Sequence, residues 1–131
     1  DMRITKDNIN EFINETTISV GSRKITKIDY VPEGITHLHL GNNDLTELPK
    51  LPESLTHLYC YNNKLTSLPK LPDSLERLNC QNNNITELPK LPEGLNISCQ
   101  NNNIPYKVTI NNVREHNKLI KRKEILSKIC V

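Results

Sequence analysis

A twenty-residue internal repeat constrains this chain more than any other feature of its sequence. Residues 51–70 read LPESLTHLYCYNNKLTSLPK, and residues 71–90 follow the same pattern as LPDSLERLNCQNNNITELPK. The frame extends over residues 31–106, although the last unit is one residue shorter between Leu95 and Cys99. Repeats of this length are the signature of stacked architectures, in which each repeat is one structural unit.

The positions inside the repeat predict the fold of each unit. Apolar and asparagine residues follow the spacing Leu-x-x-Leu-x-Leu-x-x-Asn-x-Leu, for example at Leu55, Leu58, Cys60 and Asn63. One turn cannot bury its own apolar edge, so equivalent side chains of successive turns must stack on one another. With a degenerate copy over residues 17–30, the sequence predicts a solenoid with a curved parallel sheet of about five short strands.

The other side of each turn is rich in proline. Leu-Pro-Lys-Leu-Pro recurs three times, and proline favours extended, polyproline-like backbone over helix. We therefore predict extended polyproline-like returns at six prolines: Pro49, Pro52, Pro69, Pro72, Pro89 and Pro92.

Asparagine occupies one fixed position in four turns, at Asn43, Asn63, Asn83 and Asn102. This position follows the strand, where backbone groups leave the hydrogen-bond ladder of the sheet. A carboxamide carries both donors and acceptors, so it can pair such groups in its own turn and in the adjacent one. The spacing predicts a structural asparagine ladder.

Cysteine fills a core position in three successive turns, at Cys60, Cys80 and Cys99, where the preceding turn has Leu40. A buried thiol is a small apolar side chain, so we interpret these three as core residues rather than as a metal or redox cluster. Thiols without disulfide spacing favour a reducing, intracellular compartment. Cys130 lies apart from the column and is a candidate for exposure.

The repeat resembles the short, twenty-residue "Leu-Pro-x" class of leucine-rich repeats, as found in secreted effectors of enteric bacterial pathogens. The cysteine in LYCYNN (residues 58–63) and LNCQNN (residues 78–83) is also similar to that in repeat proteins of giant amoebal viruses and some environmental bacteria. The resemblance covers about residues 17–106 and implies a leucine-rich-repeat solenoid.

The same resemblance implies a function in recognition. In the effector family the repeats recognise a host protein, and many members continue into a ubiquitin-ligase domain with a catalytic cysteine. Only residues 107–131 follow Tyr106, and Cys130 has no matching motif around it. We therefore expect recognition without catalysis.

We predict a single domain over residues 1–131, with an N-terminal helical cap at 1–16, repeats at 17–106 and a C-terminal helical cap at 107–131. Such caps close the open ends of a stacked array. The first cap is predicted as a short helix over about residues 6–15 that begins after Thr5.

The second cap is predicted as a helix that begins near Asn112. Its aliphatic residues are expected to face the last repeat: Leu119, Ile120, Leu126 and Ile129. Its basic residues favour a solvated face over a patch for nucleic acid or acidic lipid: Arg114, Lys118, Lys121, Arg122, Lys123 and Lys128.

Charge and hydropathy exclude some classes of partner. The chain has 17 basic and 15 acidic side chains, and a net charge of +2 does not indicate a nucleic-acid partner. No apolar run predicts a membrane span, and residues 1–20 do not resemble a signal peptide. An intracellular location is favoured, host cytoplasm included; because the chain begins at Asp1, secretion with a removed signal stays an alternative.

Alternation along the strands predicts where a partner binds. With Leu58 and Cys60 inside, the neighbouring side chains point to solvent, and on these strands they vary from turn to turn. The mixture of aromatic residues and arginine is typical of protein recognition. The predicted partner-binding residues on the concave face are His37, His39, His57, Tyr59, Tyr61, Arg77, Asn79 and Gln81.

The sequence therefore predicts a non-enzymatic protein-interaction module, expected to be monomeric and without a cofactor. No nucleophile with an orienting base, phosphate loop or pair of carboxylates indicates an enzyme. A self-associating scaffold is one alternative. The other is a metal site formed by His37, His39 and His57 on neighbouring strands, although no further ligand on that face completes it.

Overall fold

Each turn of the repeat contributes one short strand to a large sheet. The computed structural model describes residues 2–129. Its strands are β1 (Met2–Ile4), β2 (Ile13–Asn14), β3 (Thr17–Ser19), β4 (Ile25–Ile28), β5 (His37–His39), β6 (His57–Tyr59), β7 (Arg77–Asn79) and β8 (Asn96–Ser98), and its helix is α1 (Val113–Ile129).

Five of these strands form a parallel ladder in the order β3, β5, β6, β7 and β8. Leu38 pairs with Leu58, and Leu58 pairs with Leu78, so equivalent repeat positions are direct neighbours. The deletion in the last unit is absorbed before β8, because Asn96 pairs with Arg77 and the register then continues. The predicted solenoid of about five parallel strands is confirmed.

The core consists of stacked aliphatic columns and three thiols. Leu38, Leu58 and the equivalent leucines of other turns are buried. Cys60, Cys80 and Cys99 are free and buried, which confirms their interpretation as core residues. Burial raises the pKa of the Cys60 thiol to about 12, so it stays protonated and unreactive at neutral pH. Cys130 lies outside the described residues.

The asparagines at the end of the strands connect adjacent turns. The side-chain oxygen of Asn63 accepts a hydrogen bond from the backbone N–H of Leu45, and its NH₂ group donates to the carbonyls of Leu40, Cys60 and Tyr61. Three of the four are buried, and all four repeat this pattern: Asn43, Asn63, Asn83 and Asn102.

The predicted N-terminal helix over residues 6–15 is wrong. Only a single 3-10 turn forms there, at Ile9–Phe12. Before it, β1 pairs with β4, and after it, β2 pairs antiparallel with β3 and covers the edge of the large sheet. The helical turn ends at Ile13, which has extended backbone and pairs with Ile18 of β3. Pairing with the sheet edge thus overrides the helical pattern of the sequence, as tertiary context often does.

The C-terminal helix is present, but the face that it turns to the repeats differs from the prediction. Its buried residues are Val113 and His116, whereas Leu119, Leu126 and Ile129 are exposed and Ile120 is half-buried. Two polar contacts explain this rotation. The Asn117 side chain pairs with both backbone groups of Leu91, and His116 bonds to the carbonyl of Pro89.

Within residues 2–129, none of the helices has the length and apolar character needed to cross a bilayer.

Candidate functional site

The exposed side chains of the strands form two rows across the sheet, which together with the residues just after the strands we call the sheet face. One row contains His37, His57 and Arg77, which are direct neighbours across the strands. The second row contains His39, Tyr59 and Asn79, and Tyr61 and Gln81 follow the ends of their strands. The structure thus brings the eight residues selected from the sequence onto one surface.

The rings of this face are stacked in pairs. His37 and His57 lie with their ring centroids 4.3 Å apart and their planes 11° from parallel. His39 and Tyr59 lie 4.7 Å apart at 9°. These separations match the spacing of adjacent strands, about 4.8 Å, so the ladder of the sheet itself positions the rings.

Threonine hydroxyls orient the two histidines of the first row. The hydroxyl of Thr56 donates to the carbonyl of Thr36 at 3.0 Å, which uses its single hydrogen. Its oxygen must then accept from Nδ1 of His57, at 2.8 Å. The same contact joins Thr36 to Nδ1 of His37 at 2.9 Å. In the neutral ring of His57 the proton is therefore on Nδ1, and Nε2 is left as a hydrogen-bond acceptor.

The imidazoles of His39 and His57 are uncharged at neutral pH, because their pKa values lie below the ordinary value for histidine. Burial lowers the pKa of His39, and the neighbouring His37 and His57 lower it further. Burial is also the main cause that lowers the pKa of His57. In contrast, Arg77 carries a full charge, is exposed, and has no ion-pair partner among residues 2–129. The sheet face therefore combines the uncharged imidazoles of His39 and His57 with the charge of Arg77, which is unpaired within residues 2–129.

The geometry does not favour the alternative of a histidine metal site. Nearly parallel rings point their nitrogen lone pairs in nearly parallel directions, whereas ligands of one ion must converge on it. In the described part of the chain, no group of three or more His, Cys, Asp or Glu residues is placed to hold a metal ion.

A contact that the sequence analysis did not identify fixes Tyr61. The ring of Tyr61 lies on the backbone of Gly41, one turn earlier, so closely that a Cβ at Gly41 would lie 2.3 Å from Cζ of the tyrosine. Gly41 and Tyr61 occupy equivalent repeat positions. A glycine one period before a tyrosine is the sequence signal for this contact, because adjacent turns place the two residues side by side.

We predict that Gly41→Ala displaces the Tyr61 ring, since the added methyl group and the ring occupy the same space. The Tyr61 ring is half-buried at the surface and can move, so we expect a loss of stability of only about 1 kcal/mol. Tyrosine fluorescence and the ring resonances of Tyr61 measure the displacement. The double variant Gly41→Ala/Tyr61→Gln is the control and should recover that stability, and unchanged Tyr61 resonances in Gly41→Ala would contradict the contact.

Comparison with known proteins identifies similar repeats. A family model described as leucine-rich repeats in two copies matches residues 53–93. Among solved structures, the chain is similar to the leucine-rich-repeat domain of a Shigella effector, with 33% identity and a TM-score of 0.71 over 82% of this chain and 49% of that one. It is also similar to YopM from Yersinia enterocolitica, with 32% identity and a TM-score of 0.56 over 61% of this chain and 20% of YopM.

The chain thus spans about half of one of these structures and about a fifth of the other. No curated protein matches it significantly. The similarity to bacterial effectors that the sequence indicated is confirmed, and the resemblance to repeat proteins of giant viruses stays a prediction.

Proposed function

Because this chain is a leucine-rich-repeat solenoid similar to the repeat domains of bacterial effectors, we propose that it binds a partner protein through the sheet face. The observation that carries the proposal is the pair of stacked rings, His37 on His57 and His39 on Tyr59, which exist before any partner arrives.

Preformed rings favour binding for an entropic reason. Ordering a side chain at an interface costs about 0.5–1.5 kcal/mol for each flexible side chain that is immobilised. On this face the stacks hold His39 and Tyr59, threonine hydroxyls hold the two other histidines, and the Gly41 backbone holds Tyr61. Much of the entropic cost of ordering these side chains therefore arises when the chain folds and not when the partner binds.

The chemistry of the face indicates what the partner surface presents. The outward Nε2 of His57 accepts hydrogen bonds, the tyrosine rings offer apolar area, and Arg77 offers a guanidinium to a carboxylate. Tyrosine and arginine are enriched among the residues that dominate binding energy. We therefore propose a partner with hydrogen-bond donors opposite the histidine row and an acidic group opposite Arg77.

We propose an interaction of modest affinity with a single chain as the binding unit. Five strands span about 20 Å, so the face buries only several hundred Å², at the low end for a stable complex. By analogy with the effectors, we propose a host protein as the partner and a reducing compartment as its location. The three free core thiols support the latter.

Site-specific photo-crosslinking tests the face and the partner together. A photoreactive phenylalanine analogue at Tyr59 is compared with the same analogue at Thr66. Thr66 is exposed but lies seven residues beyond the end of β6, outside the sheet face. Both chains are exposed to host-cell extract and irradiated. We expect a distinct protein adduct from position 59 that is absent from position 66.

The matched variants are Tyr59→Ala/Arg77→Ala and, as control, Thr66→Ala/Lys70→Ala, which removes one polar and one basic side chain elsewhere. With the identified partner, we expect at least about a tenfold loss of affinity for the first pair and less than about twofold for the control. Equal losses, or an adduct from position 66 alone, would place the interface elsewhere. A nanomolar complex formed by residues 17–106 alone would contradict the modest affinity.

A further inference from the structure

The side of α1 that faces away from the repeats carries aliphatic side chains that the cap does not use. Docking is carried by Val113, His116 and Asn117 on the opposite side. At about 100° per residue, the unused aliphatics fall within an arc of about 120°. Between 41% and 71% of their surface is exposed: Leu119, Ile125, Leu126 and Ile129.

The helix is also the most basic element of the chain. It has six basic residues against Glu115 and Glu124, so its net positive charge exceeds that of the whole chain. Arg114 and Lys123 form salt bridges with Glu93 and Glu87 of the last turns. Four basic residues make no salt bridge within the described residues: Lys118, Lys121, Arg122 and Lys128.

We propose that α1 binds the surface of an anionic lipid bilayer with this arc. The aliphatic side chains would enter the boundary between headgroups and acyl chains, as amphipathic helices do when they lie on a membrane. Lys118 and Arg122 lie inside the arc, and their long stems allow the charged ends to reach back to the phosphates. Glu115 lies at a similar angle but at the start of the helix, about one turn before the first of the aliphatic residues. Lys121 and Lys128 lie beside one edge of the arc and add electrostatic attraction.

The interleaving of charge and aliphatic side chains favours lipid over other occupants. A protein groove that covered the arc would bury the charge of Arg122, which costs several kcal/mol unless it is paired. A second copy would bring two basic helices together. Nucleic acid would contact the basic residues but would gain nothing from four exposed aliphatic side chains.

Vesicle co-sedimentation of the full chain tests the proposal. The vesicles consist of phosphatidylcholine alone, or of equal parts phosphatidylcholine and phosphatidylglycerol. We expect the chain to sediment with the anionic vesicles at low salt, to stay in the supernatant with the neutral ones, and to bind less as salt is raised.

Two variants separate the apolar from the electrostatic contribution. Leu126→Ser/Ile129→Ser removes exposed aliphatic area, and we expect at least about a tenfold weaker partition into anionic vesicles. Lys121→Gln/Arg122→Gln should also weaken it by about tenfold or more. The control Lys50→Gln/Lys70→Gln removes the same charge from exposed positions on the returns and should change it by less than about twofold.

None of the substituted side chains is buried, so we expect all variants to keep their helix content. Circular dichroism checks this. Three results would overturn the proposal. The first is no sedimentation with anionic vesicles at low salt. The second is equal binding by parent and Leu126→Ser/Ile129→Ser, which would reduce the helix to a purely electrostatic patch. The third is a dimer in sedimentation equilibrium that this variant dissociates, which would assign the arc to a second copy.

Discussion

Replacing Asn63 by leucine should lower the free energy of unfolding by at least about 2 kcal/mol, because it leaves one buried N–H without a partner, at about 1–3 kcal/mol, and removes further hydrogen bonds to buried carbonyls, at about 0.5–1.5 kcal/mol each. Leucine has nearly the size of asparagine but neither donates nor accepts. The N–H of Leu45 would lose its partner. The carbonyls of Leu40 and Cys60 would each lose one of two asparagine donors and keep the other, which comes from the same or the next turn of the ladder. Since small domains have only about 5–15 kcal/mol of stability, urea unfolding followed by circular dichroism resolves the loss readily.

The adjacent Asn62 provides the matched control. It is exposed, has a left-handed backbone with φ of 53°, and donates to the side chain of Asn42. Asn62→Gly keeps this backbone conformation, which glycine adopts without strain, and removes only exposed hydrogen bonds. We expect a change below about 1 kcal/mol. Similar losses for Asn62→Gly and Asn63→Leu would show that the buried ladder has no special role.

The repeats were predictable because each position finds its own equivalent as a neighbour. Once the period is known, the register of Leu58 with Leu38 and Leu78 follows, and the alternation of the strand assigns His57 and Tyr59 to solvent. For the same reason, the sequence identified which residues share the sheet face. The role of the sheet face in binding stays a proposal.

Two features of the repeats escaped the sequence analysis although the signals were present. One is the exposed first asparagine of each Asn-Asn pair, which takes the left-handed conformation at Asn42, Asn62, Asn82 and Asn101. Asparagine tolerates that conformation better than most residues, so the repeated pair marks it. The other is the contact between the Tyr61 ring and the backbone of Gly41. It becomes visible in the sequence only when equivalent positions of adjacent turns are compared.

The ends were less predictable because no repeat constrains them. At the start, pairing of Ile13 and Asn14 with the edge of the large sheet outweighs a helical pattern of apolar residues. At the end, the aliphatic stripe of α1 predicted the wrong docked face. Polar groups of the last return need partners, and His116 and Asn117 supply them, so these two residues determine the rotation of the helix.

His116 should therefore be the residue on which the C-terminal cap most depends. It is 2% exposed, and its Nε2 must donate to the carbonyl of Pro89, at 2.8 Å, because a carbonyl only accepts. Nδ1 of the neutral ring then accepts from the hydroxyl of Tyr106, also at 2.8 Å. His116→Ala removes both bonds and leaves a cavity, and we expect a loss of about 2–4 kcal/mol. The exposed neighbour Lys118 provides the control, since Lys118→Ala should cost less than about 0.5 kcal/mol.

Hydrogen exchange distinguishes loss of the cap from general destabilisation. Turns of a solenoid contact only their neighbours, so damage at one end should propagate inward from that end. In His116→Ala we expect faster exchange in residues 113–120 and in β8, and unchanged protection in β5 and β6. Unchanged exchange in α1 would show that the contact between Asn117 and Leu91 is sufficient to hold the helix. Faster exchange throughout the sheet would show instead that the whole array unfolds as one cooperative unit, in which the cap stabilises every turn.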